Sequence, residues 1–366
     1  MKILHIINES IFAIEVLKRV RKLFNYNEHH FIVIKQNGKF IDKLKGKNVF
    51  YAEDINCNRT CIYIIKKMLI SDKIILYALT GNININLVLA PILGKKYCWI
   101  CWGGELYDYN LGYLGDGKKT KYYEYKKKLI INHTGFICAW HRKEYLDALK
   151  YYPNTKAKFI EMFMPYKIYV KPNEVIGNNC KHVRIMIGHS GSNINQHLDA
   201  MNKLLFLADE NIEIICPMTY ASNKSYMKKV KNTGQKYFGE KFKLLNQEWM
   251  SDSEYQKFLS TIDIAVFNNK REQAFGNIQI LLLQGKKVYI NKSNVALFTF
   301  KDLSGNLFEF KDFSLNEKQE FLNPLSEVQK EENYKMIKEY SSDKHYMEVW
   351  SNIFNGAYES DKLHYK

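Results

Sequence analysis

The sequence predicts an α/β protein with two doubly wound, parallel-sheet domains that face a central cleft. Three observations predict this fold class. Short apolar segments alternate with longer amphipathic ones along the chain, which is typical of strands joined by helical crossovers. A chain of 366 residues is long enough for two domains. A polar segment with proline and glycine, residues 171–179, separates two halves of similar size.

In the first half, the short apolar runs are predicted strands and the amphipathic stretches are predicted helices. The predicted strands are residues 2–7, 31–34, 49–51, 73–79, 97–102, 136–139 and 159–162. The predicted helices are residues 12–24, 60–70, 86–93, 121–131 and 142–150. This order gives an N-terminal doubly wound domain from residue 1 to 170, followed by a linker over residues 171–181.

The second half repeats the same alternation. The predicted strands are residues 183–187, 212–216, 243–245, 262–267 and 287–290. The predicted helices are residues 195–208, 224–233, 253–260, 275–283 and 346–354. Near-continuous apolar strands such as 262–267 are typical of a sheet covered on both faces. We expect a second doubly wound domain over residues 182–340, and a C-terminal helical segment, residues 341–366, that packs back on the first domain.

The composition excludes disorder and indicates a basic protein. Hydrophobic residues make up 46% and charged residues 25%, as in ordinary globular chains. Lysine and arginine total 54 against 38 aspartate and glutamate residues, so the formal net charge is +16. Such an excess favours nucleic acid, an anionic membrane surface or phosphorylated substrates. No signal peptide or membrane-spanning apolar stretch is visible, so we expect a protein that is soluble or bound to one side of a membrane.

The sequence predicts no metal site and no cofactor. Cys98 and Cys101 have the spacing of a metal-binding or redox pair, but they lie in an apolar run without a second pair or a nearby histidine pair. The chain contains no Asp-x-Asp segment and no nucleophile elbow. A reaction on a nucleotide-linked substrate would therefore need other groups to stabilise a leaving diphosphate.

The segment that begins at Gly188 follows a predicted strand and opens a predicted helix. Gly188 and Gly191 allow the backbone to turn sharply and to approach a ligand. Ser192 or Asn193 is a suitable helix cap, and free main-chain N–H groups at such a helix start favour a phosphate. A capped strand-to-helix turn without a ligand is the alternative.

A second segment, residues 268–277, also lies between an apolar strand and an apolar helix. It places Arg271 at the carboxyl end of the strand, where the planar guanidinium can hold a pyrophosphate. A solvated loop whose arginine pairs with a surface carboxylate is the alternative. Tyr220 ends another strand and is suited either to stacking on a base or sugar or to ordinary packing.

Glu105 follows the predicted strand 97–102 and the pair Gly103-Gly104. If the two domains face a cleft, this carboxylate can take a proton from a sugar hydroxyl that attacks an anomeric carbon. A surface glutamate at a helix start is the commoner occurrence of such a residue.

Residues 118–128 interleave lysines with Tyr122, Tyr123 and Tyr125, and Glu124 interrupts the positive charge. The pattern fits a nucleic-acid stripe, a membrane-facing surface or a solvated helix face. Between the two binding interpretations the membrane surface is favoured, because no nucleic-acid motif accompanies the segment.

Five segments, in the same order, resemble the motifs of one family: the 4-acetamido-4,6-dideoxygalactose transferases of enterobacterial common antigen synthesis, glycosyltransferase family 56. The similarity spans roughly residues 99–291. The segments are Trp102-Gly103-Gly104-Glu105-Leu106-Tyr107, Gly188-His189-Ser190-Gly191 with Asn195 and His197, Pro217-Met218 with Tyr220, Phe238-Gly239-Glu240, and Arg271 with Gln273 and Gly276.

The resemblance implies a GT-B fold and a metal-independent transfer of an acetamido-dideoxyhexose. In that fold, residues 1–170 would form the acceptor-side domain and residues 182–340 the domain that binds the nucleotide-sugar donor. The implied donor is a dTDP-sugar, and the implied acceptor is a polyprenyl-diphosphate-linked saccharide at the cytoplasmic face of the bacterial inner membrane. Glu105 would be the acceptor-side carboxylate, and Arg271 would stabilise the leaving diphosphate. The implied donor-binding residues are Gly188, Ser190, Gly191, Asn195, His197, Tyr220, Gln273, Gly276 and Asn277.

The chain departs from the family pattern in residues 268–277. Glu272 and Ala274-Phe275 stand where glutamine and Gly-Ile are expected, and the Glu-x7-Glu pair of many GT-B enzymes is missing, since Ile280 stands eight residues after Glu272. These departures affect the identity of the sugar more than the reaction. A UDP-sugar donor, a non-lipid acceptor and a basic nucleic-acid-binding protein stay open as alternatives. A retaining reaction would need no base at Glu105.

Overall fold

The computed structural model describes residues 1–55, 57–79, 83–169, 182–221, 223–246 and 250–358. The predicted linker, residues 171–181, lies outside these ranges. The chain divides into two compact units. We call residues 1–163 together with the segment from residue 343 the first unit, and residues 164–342 the second unit.

Parallel strands form one sheet in each unit. The strands are β1 Ile3–Asn8, β2 His29–Ile34, β3 Val49–Ala52, β4 Lys73–Tyr77, β5 Tyr97–Ile100, β6 Phe136–Ala139, β7 Lys158–Glu161, β8 Val183–Ile187, β9 Ile212–Pro217, β10 Phe242–Leu245, β11 Ile264–Phe267, β12 Lys287–Asn291 and β13 Phe308–Phe310. The sheet of the first unit has the order β3-β2-β1-β4-β5-β6-β7, and that of the second unit has the order β10-β9-β8-β11-β12-β13.

Helices connect the strands. They are α1 Ile11–Leu23, α2 Ile41–Leu44, α3 Asn58–Ile70, α4 Ile83–Leu93, α5 Gly104–Tyr107, α6 Lys118–His133, α7 Arg142–Tyr151, α8 His197–Lys203, α9 Lys224–Phe238, α10 Asp252–Ser260, α11 Phe275–Leu283, α12 Val295–Asp302, α13 Lys318–Leu322, α14 Glu327–Tyr340 and α15 Asp343–Asn355. Every crossover between parallel neighbours carries the chain back along one face of a sheet, as parallel pairing requires.

Both sheets are doubly wound, which confirms the predicted fold class. In each unit the chain adds strands in one direction from a central strand and then returns to build the other side. The reversal lies between β1 and β4 in the first unit and between β8 and β11 in the second. Ligands of such sheets bind at the carboxyl ends of the strands beside this reversal. The loops after β8 and β11 are therefore neighbours at the place where a ligand is expected.

The core of each sheet consists of the apolar runs that predicted the strands. The neighbours Ile74 and Ile75 are both completely buried in the first unit, and the neighbours Ile185 and Met186 are both completely buried in the second. Because successive side chains of a strand point to opposite faces, each sheet has apolar residues covered on both faces, as the near-continuous apolar strands indicated.

The C-terminal helix α15 belongs to the first unit. The indole N–H of Trp350 donates to the carbonyl of Phe163 at 2.8 Å. Arg19 and Lys22 of α1 pair with Asp343 at 3.0 and 2.7 Å. The buried rings of α15 thus complete the covering of the first sheet.

Besides the unpredicted helices α2, α5, α12 and α13, three further elements differ from the sequence prediction. The helix predicted over residues 195–208 begins only at His197, because Gln196 has a left-handed φ of +50°, and it ends at Lys203. The strand β13 was missed because it has three residues, too few for a recognisable apolar run. The helix α14 was missed because charged residues dominate it, although a capping box at Ser326 and Gln329 marks its start.

Candidate active site

Gly188 directly follows β8, and two observations show that only glycine fits this position. Its φ is +69°, and a Cβ on it would lie 2.7 Å from Nε2 of His197. Its N–H donates to the carbonyl of Val266 in β11 at 2.9 Å. The tight turn after β8 is thereby fixed to the neighbouring strand.

Asn195 holds the loop that follows Gly188. The Asn195 side chain is completely buried. Its amide donates to the hydroxyl of Ser190 at 2.9 Å and to the carbonyl of Ser190 at 3.2 Å. Its carbonyl oxygen accepts from the N–H of His189 at 3.3 Å. The Asn195 amide thus replaces the regular backbone hydrogen bonds that this loop lacks.

His197 supports the same loop from beneath. Its ring Nδ1 and its backbone N–H both contact the hydroxyl of Tyr226 at 3.2 Å, while Nε2 is buried and has no hydrogen-bond partner among the described residues. Burial, together with the nearby His189, lowers the pKa of His197 to about 3. The ring is therefore neutral at physiological pH. Asn195 and His197 lie under the loop as supports and not on its surface.

The loops after β8 and β9 are joined by a main-chain hydrogen bond. The N–H of Gly191 donates to the carbonyl of Tyr220 at 2.8 Å. The prediction that the amides of this loop are free is therefore wrong for Gly191. The Tyr220 side chain is 40% exposed and is the most accessible of the predicted donor residues in these two loops.

Arg271 lies at the carboxyl end of β11 with its charge held by its neighbour. Its Nη1 is 3.1 Å from a carboxylate oxygen of Glu272, and the two side chains are only 11% and 9% exposed. Its carbonyl accepts from the Asn269 amide at 2.9 Å. Burial and the charge of Arg271 lower the pKa of His189 to about 4, although a bond to Asn195 opposes them. The Arg271 guanidinium and the loop after β8 thus lie close enough to interact.

Asn268 connects the ends of β11 and β12 with the helix α8, and the sequence analysis did not single it out. Its amide donates to Asp199 at 2.8 Å, and its carbonyl oxygen accepts from the Asn291 amide at 2.9 Å. Its side chain is completely buried. A polar residue directly after the apolar strand 262–267 was the available signal.

The first turn of α11 is covered by Tyr166. Ala274, which precedes the helix, has a left-handed φ of +63° and provides no side-chain cap. A Cβ on Gly276 would collide with the Tyr166 ring, and the Tyr166 hydroxyl is hydrogen bonded to the Gly276 backbone. Burial raises the pKa of Tyr166. The predicted donor residue Gly276 is therefore shielded by a tyrosine that no sequence signal indicated.

The predicted donor residues in and after these loops differ in exposure. Gly188, Ser190, Gly191, Asn195, His197 and Gly276 are buried, whereas Arg271, Gln273 and Asn277 are partly exposed and Tyr220 is exposed. The side-chain oxygen of Gln273 is buried without a hydrogen-bond partner among the described residues. Direct ligand contact is thus most accessible to Tyr220, Arg271, Gln273 and Asn277.

Glu105, the predicted acceptor-side carboxylate, belongs to the first unit. It lies in α5, just after β5, and its Oε1 accepts from the Trp99 indole at 2.9 Å and from the Trp102 N–H at 3.3 Å. Burial raises the pKa of Glu105, although these bonds and Lys127 oppose the shift. A carboxylate with a raised pKa is a stronger base when it is ionised. Lys127 also donates to the backbone carbonyl of Glu105 and so anchors α5.

Glu9, at the end of β1, is a second carboxylate that the sequence analysis missed. It accepts from the backbone N–H groups of Gln36, Gly38 and Phe40 at 2.9, 2.8 and 2.7 Å and from the Tyr51 hydroxyl at 2.8 Å. Burial alone would raise the pKa of Glu9, but these bonds lower it to about 2. Glu9 is therefore ionised, and its charge is used to hold the loop after β2.

A family model described as 4-alpha-L-fucosyltransferase, glycosyl transferase group 56, matches residues 7–351. The chain belongs to this family. It is therefore a glycosyltransferase, and the membership of family 56 that the sequence motifs predicted is confirmed. The narrower assignment to common antigen synthesis stays a prediction.

Solved glycosyltransferases share the fold of this glycosyltransferase. A glycosyltransferase from Rickettsia africae aligns with a TM-score of 0.67 and 13% identity, over 97% of this chain and 98% of that chain. The UDP complex of HepE from Anabaena aligns with a TM-score of 0.65 and 10% identity, over 97% and 100%. The apo form of the lipopolysaccharide outer core galactosyltransferase WaaB aligns with a TM-score of 0.60 and 11% identity, over 97% and 99%. These similarities confirm the predicted GT-B class of two Rossmann-like domains.

The described residues contain neither a metal-binding cluster nor a membrane-spanning helix. Histidine, cysteine, aspartate and glutamate side chains do not gather there in threes that could hold a metal ion. Among the same residues, no helix combines the length and hydropathy that a bilayer crossing requires.

Proposed function

We propose that this glycosyltransferase transfers an acetamido-dideoxyhexose, similar to 4-acetamido-4,6-dideoxygalactose, from a dTDP-sugar to a polyprenyl-diphosphate-linked saccharide. The reaction belongs to bacterial surface polysaccharide synthesis, and the enzyme is peripheral at the cytoplasmic face of the inner membrane. The five family motifs support the donor and the acceptor. The observation that carries the proposal is Arg271 beside the loop of Ser190 at the strand reversal of the second sheet.

The second unit supplies the groups that bind the donor. Arg271 offers a planar set of N–H donors that can bind two oxygens of a diphosphate. The positive end of α11, the next helix along the chain, adds a fixed partial charge near the same edge. As the bond from the anomeric carbon to the phosphate oxygen breaks, negative charge grows on the diphosphate. The positively charged Arg271 guanidinium stabilises that charge without the help of a metal ion.

The first unit supplies the base. In an inverting reaction, the acceptor hydroxyl oxygen bonds to the anomeric carbon while the donor phosphate leaves with the electrons of the old bond. The hydroxyl proton passes to Glu105, whose raised pKa makes its carboxylate a stronger base. Trp99 and Trp102 hold one carboxylate oxygen, so the orientation of the base is determined before the acceptor binds.

A thermal-shift panel with dTDP, UDP, GDP and ADP tests the donor assignment. A ligand that binds only the native state raises the melting temperature, so the preferred nucleotide gives the largest shift. We expect dTDP to give it, and the sugar-transfer assay then uses the matching donor with a polyprenyl-diphosphate saccharide. No shift with any nucleoside diphosphate would contradict the proposal.

A UDP-sugar is the second candidate donor. The HepE structure from Anabaena contains UDP, which shows that this fold accommodates a uridine nucleotide in that protein. A larger shift with UDP than with dTDP would select this candidate and leave the assigned residues unchanged.

A further inference from the structure

The helices α4 and α6 of the first unit pack against each other and expose an unusual set of side chains. Val88 and Ile92 of α4 are 72% and 73% exposed, and Tyr122 and Tyr125 of α6 are 63% and 59% exposed. Single exposed apolar residues are common, but four large ones on two contacting helices form the kind of patch that marks an interaction site.

The exposed side of α6 is also positively charged without interruption. Glu124 is the only acidic residue within the helix, and it is turned inward, with a carboxylate oxygen 2.6 Å from Nζ of buried Lys127. Sequence analysis placed Glu124 in the middle of the positive segment, but the structure removes it from the surface. The lysines of this helix that are exposed are Lys118, Lys119, Lys121 and Lys128.

The apolar and basic side chains form one surface, because Lys126 connects the two helices. Its Nζ donates to the side-chain oxygen of Asn84 in α4 at 2.9 Å and lies 4.3 Å from the centre of the Tyr122 ring. Asn84, Val88 and Ile92 are spaced four residues apart and share one side of α4. We call these exposed residues of α4 and α6 the basic apolar face.

We propose that the basic apolar face lies on an anionic phospholipid bilayer. Val88, Ile92, Tyr122 and Tyr125 enter the boundary between headgroups and acyl chains, and the surrounding lysines contact lipid phosphates. The inference deepens the proposed function and rests on its lipid-linked acceptor, since a face of the first unit would then hold that unit at the bilayer surface.

The side chains favour lipid over nucleic acid. Aliphatic Val88 and Ile92 have neither a ring to stack on a base nor a group that binds phosphate, whereas both gain from burial among acyl chains. The Tyr122 ring already carries Lys126 on one side. Tyrosine is also suited to the membrane boundary, where one end of the side chain is apolar and the other is wet.

The test is co-sedimentation of the full chain with vesicles of phosphatidylcholine alone or of phosphatidylcholine mixed with phosphatidylglycerol. We expect binding only to the anionic vesicles. The variant Val88→Ser/Ile92→Ser removes the aliphatic contribution, and Lys118→Gln/Lys121→Gln/Lys128→Gln removes three charges. Each variant is expected to lower vesicle affinity by at least about tenfold.

The matched control removes three exposed lysines of α9 in the second unit: Lys224→Gln/Lys228→Gln/Lys231→Gln. It has the same net charge as the α6 variant and is expected to bind vesicles like the unmodified chain. Equal losses in both lysine variants would overturn the proposal, because net charge alone would then explain binding. Tighter binding of a single-stranded oligonucleotide than of anionic vesicles, lost in the α6 variant, would overturn it in favour of nucleic acid.

A nucleotide thermal shift measured on the same variants separates this inference from the proposed function. The α4 and α6 variants are expected to keep the shift of the unmodified chain. Loss of vesicle binding with an intact shift supports the basic apolar face, whereas retention of vesicle binding in both face variants overturns it whatever the nucleotide result.

Discussion

The two units have the same order over six strands but different chemistry at their carboxyl edges. The carboxylates at this edge of the first unit include Glu9 after β1 and Glu105 after β5. The second unit places Arg271 there beside two histidines that burial keeps neutral. The shared winding decides where a ligand can bind, whereas a few side chains after the strands decide whether that edge removes a proton or binds an anion.

At the carboxyl edge of each sheet, some charged side chains hold the fold together through hydrogen bonds, whereas others can still interact with a ligand. Glu9 is surrounded by main-chain N–H groups and has a pKa lowered to about 2 even though burial opposes the shift, while burial raises the pKa of Glu105. In the second unit, Glu272 holds the Arg271 guanidinium at 3.1 Å. Glu9 is therefore held by main-chain donors, whereas Glu105 has a raised pKa and Arg271 is paired with the neighbouring carboxylate of Glu272.

The largest effect is expected for Glu105→Gln. Glutamine can still accept the Trp99 N–H but cannot take a proton, so kcat should fall about a thousandfold while the nucleotide thermal shift is unchanged. A transfer assay with saturating donor measures the loss, and Glu15→Gln, on the surface of the same unit, is the control. Transfer at the unmodified rate would show that Glu105 is not the catalytic base and would favour a retaining reaction.

Arg271→Ala is expected to lower turnover by about a hundredfold to a thousandfold, because the developing diphosphate charge loses its main partner. The nucleotide thermal shift should also decrease. Lys270→Ala, an exposed neighbour that removes the same charge, should leave both measurements unchanged. The double variant Arg271→Ala/Glu272→Gln avoids an unpaired buried carboxylate, and full activity in it would show that the second edge does not act through this guanidinium.

Acid should destabilise both units through their buried histidines. Burial is the main cause that lowers the pKa of His29 in the first unit to about 4 and that of His197 in the second to about 3. Because these values lie below the roughly 6.5 of the unfolded chain, the unfolded state binds more protons, so stability is lost as pH falls below about 6.5. Each histidine contributes up to about 1.4 kcal/mol per pH unit.

Urea unfolding at several pH values measures this loss. His29→Gln should flatten the pH dependence of the first unit, and His197→Gln that of the second. An unchanged slope in either variant would show that the buried histidine of that unit does not titrate between the two states.

Glu272→Gln should strengthen nucleoside diphosphate binding by about tenfold. The carboxylate competes with a diphosphate for Arg271, whereas a neutral amide competes less. Titration calorimetry measures the affinity, with the exposed Glu309→Gln as control. Weaker binding in Glu272→Gln would mean that the carboxylate positions the guanidinium for its ligand.

The smallest effect is expected for Ala274→Gly. Ala274 has a φ of +63°, which costs alanine about 1 kcal/mol relative to glycine. The substitution should raise the unfolding free energy by up to that amount. Ala78→Gly, at a φ of +66° after β4 of the first unit, is the matched variant, and destabilisation in both would contradict the assigned strain.

Most of the fold was predictable because parallel strands covered on both faces are continuous apolar runs. Residues 97–102 and 262–267 are visible in this way, although the observed strands are two residues shorter. The start of α8 after Gln196 was not predictable, because the amphipathic pattern already begins before that residue and only the backbone shows the left-handed turn. Short β13 and charged α14 carry no apolar run strong enough to be recognised.

The candidate site was predictable only where its residues directly follow a strand. Arg271 and Glu105 fall in that class. Tyr166 and Glu9 were missed, because their contacts are with segments distant in the chain, the start of α11 and the loop after β2. The supporting role of Asn195 was also hidden, since a buried amide and a ligand-binding amide have the same sequence pattern.

The return of α15 to the first unit has a consequence for synthesis. Trp350 is completely buried there, and its ring lies 6.0 Å from that of Tyr77 in β4. The ribosome therefore makes all of residues 164–342 before it makes the helix that seals the first sheet. The first unit therefore cannot bury the surface that Trp350 covers until the whole of the second unit has been synthesised.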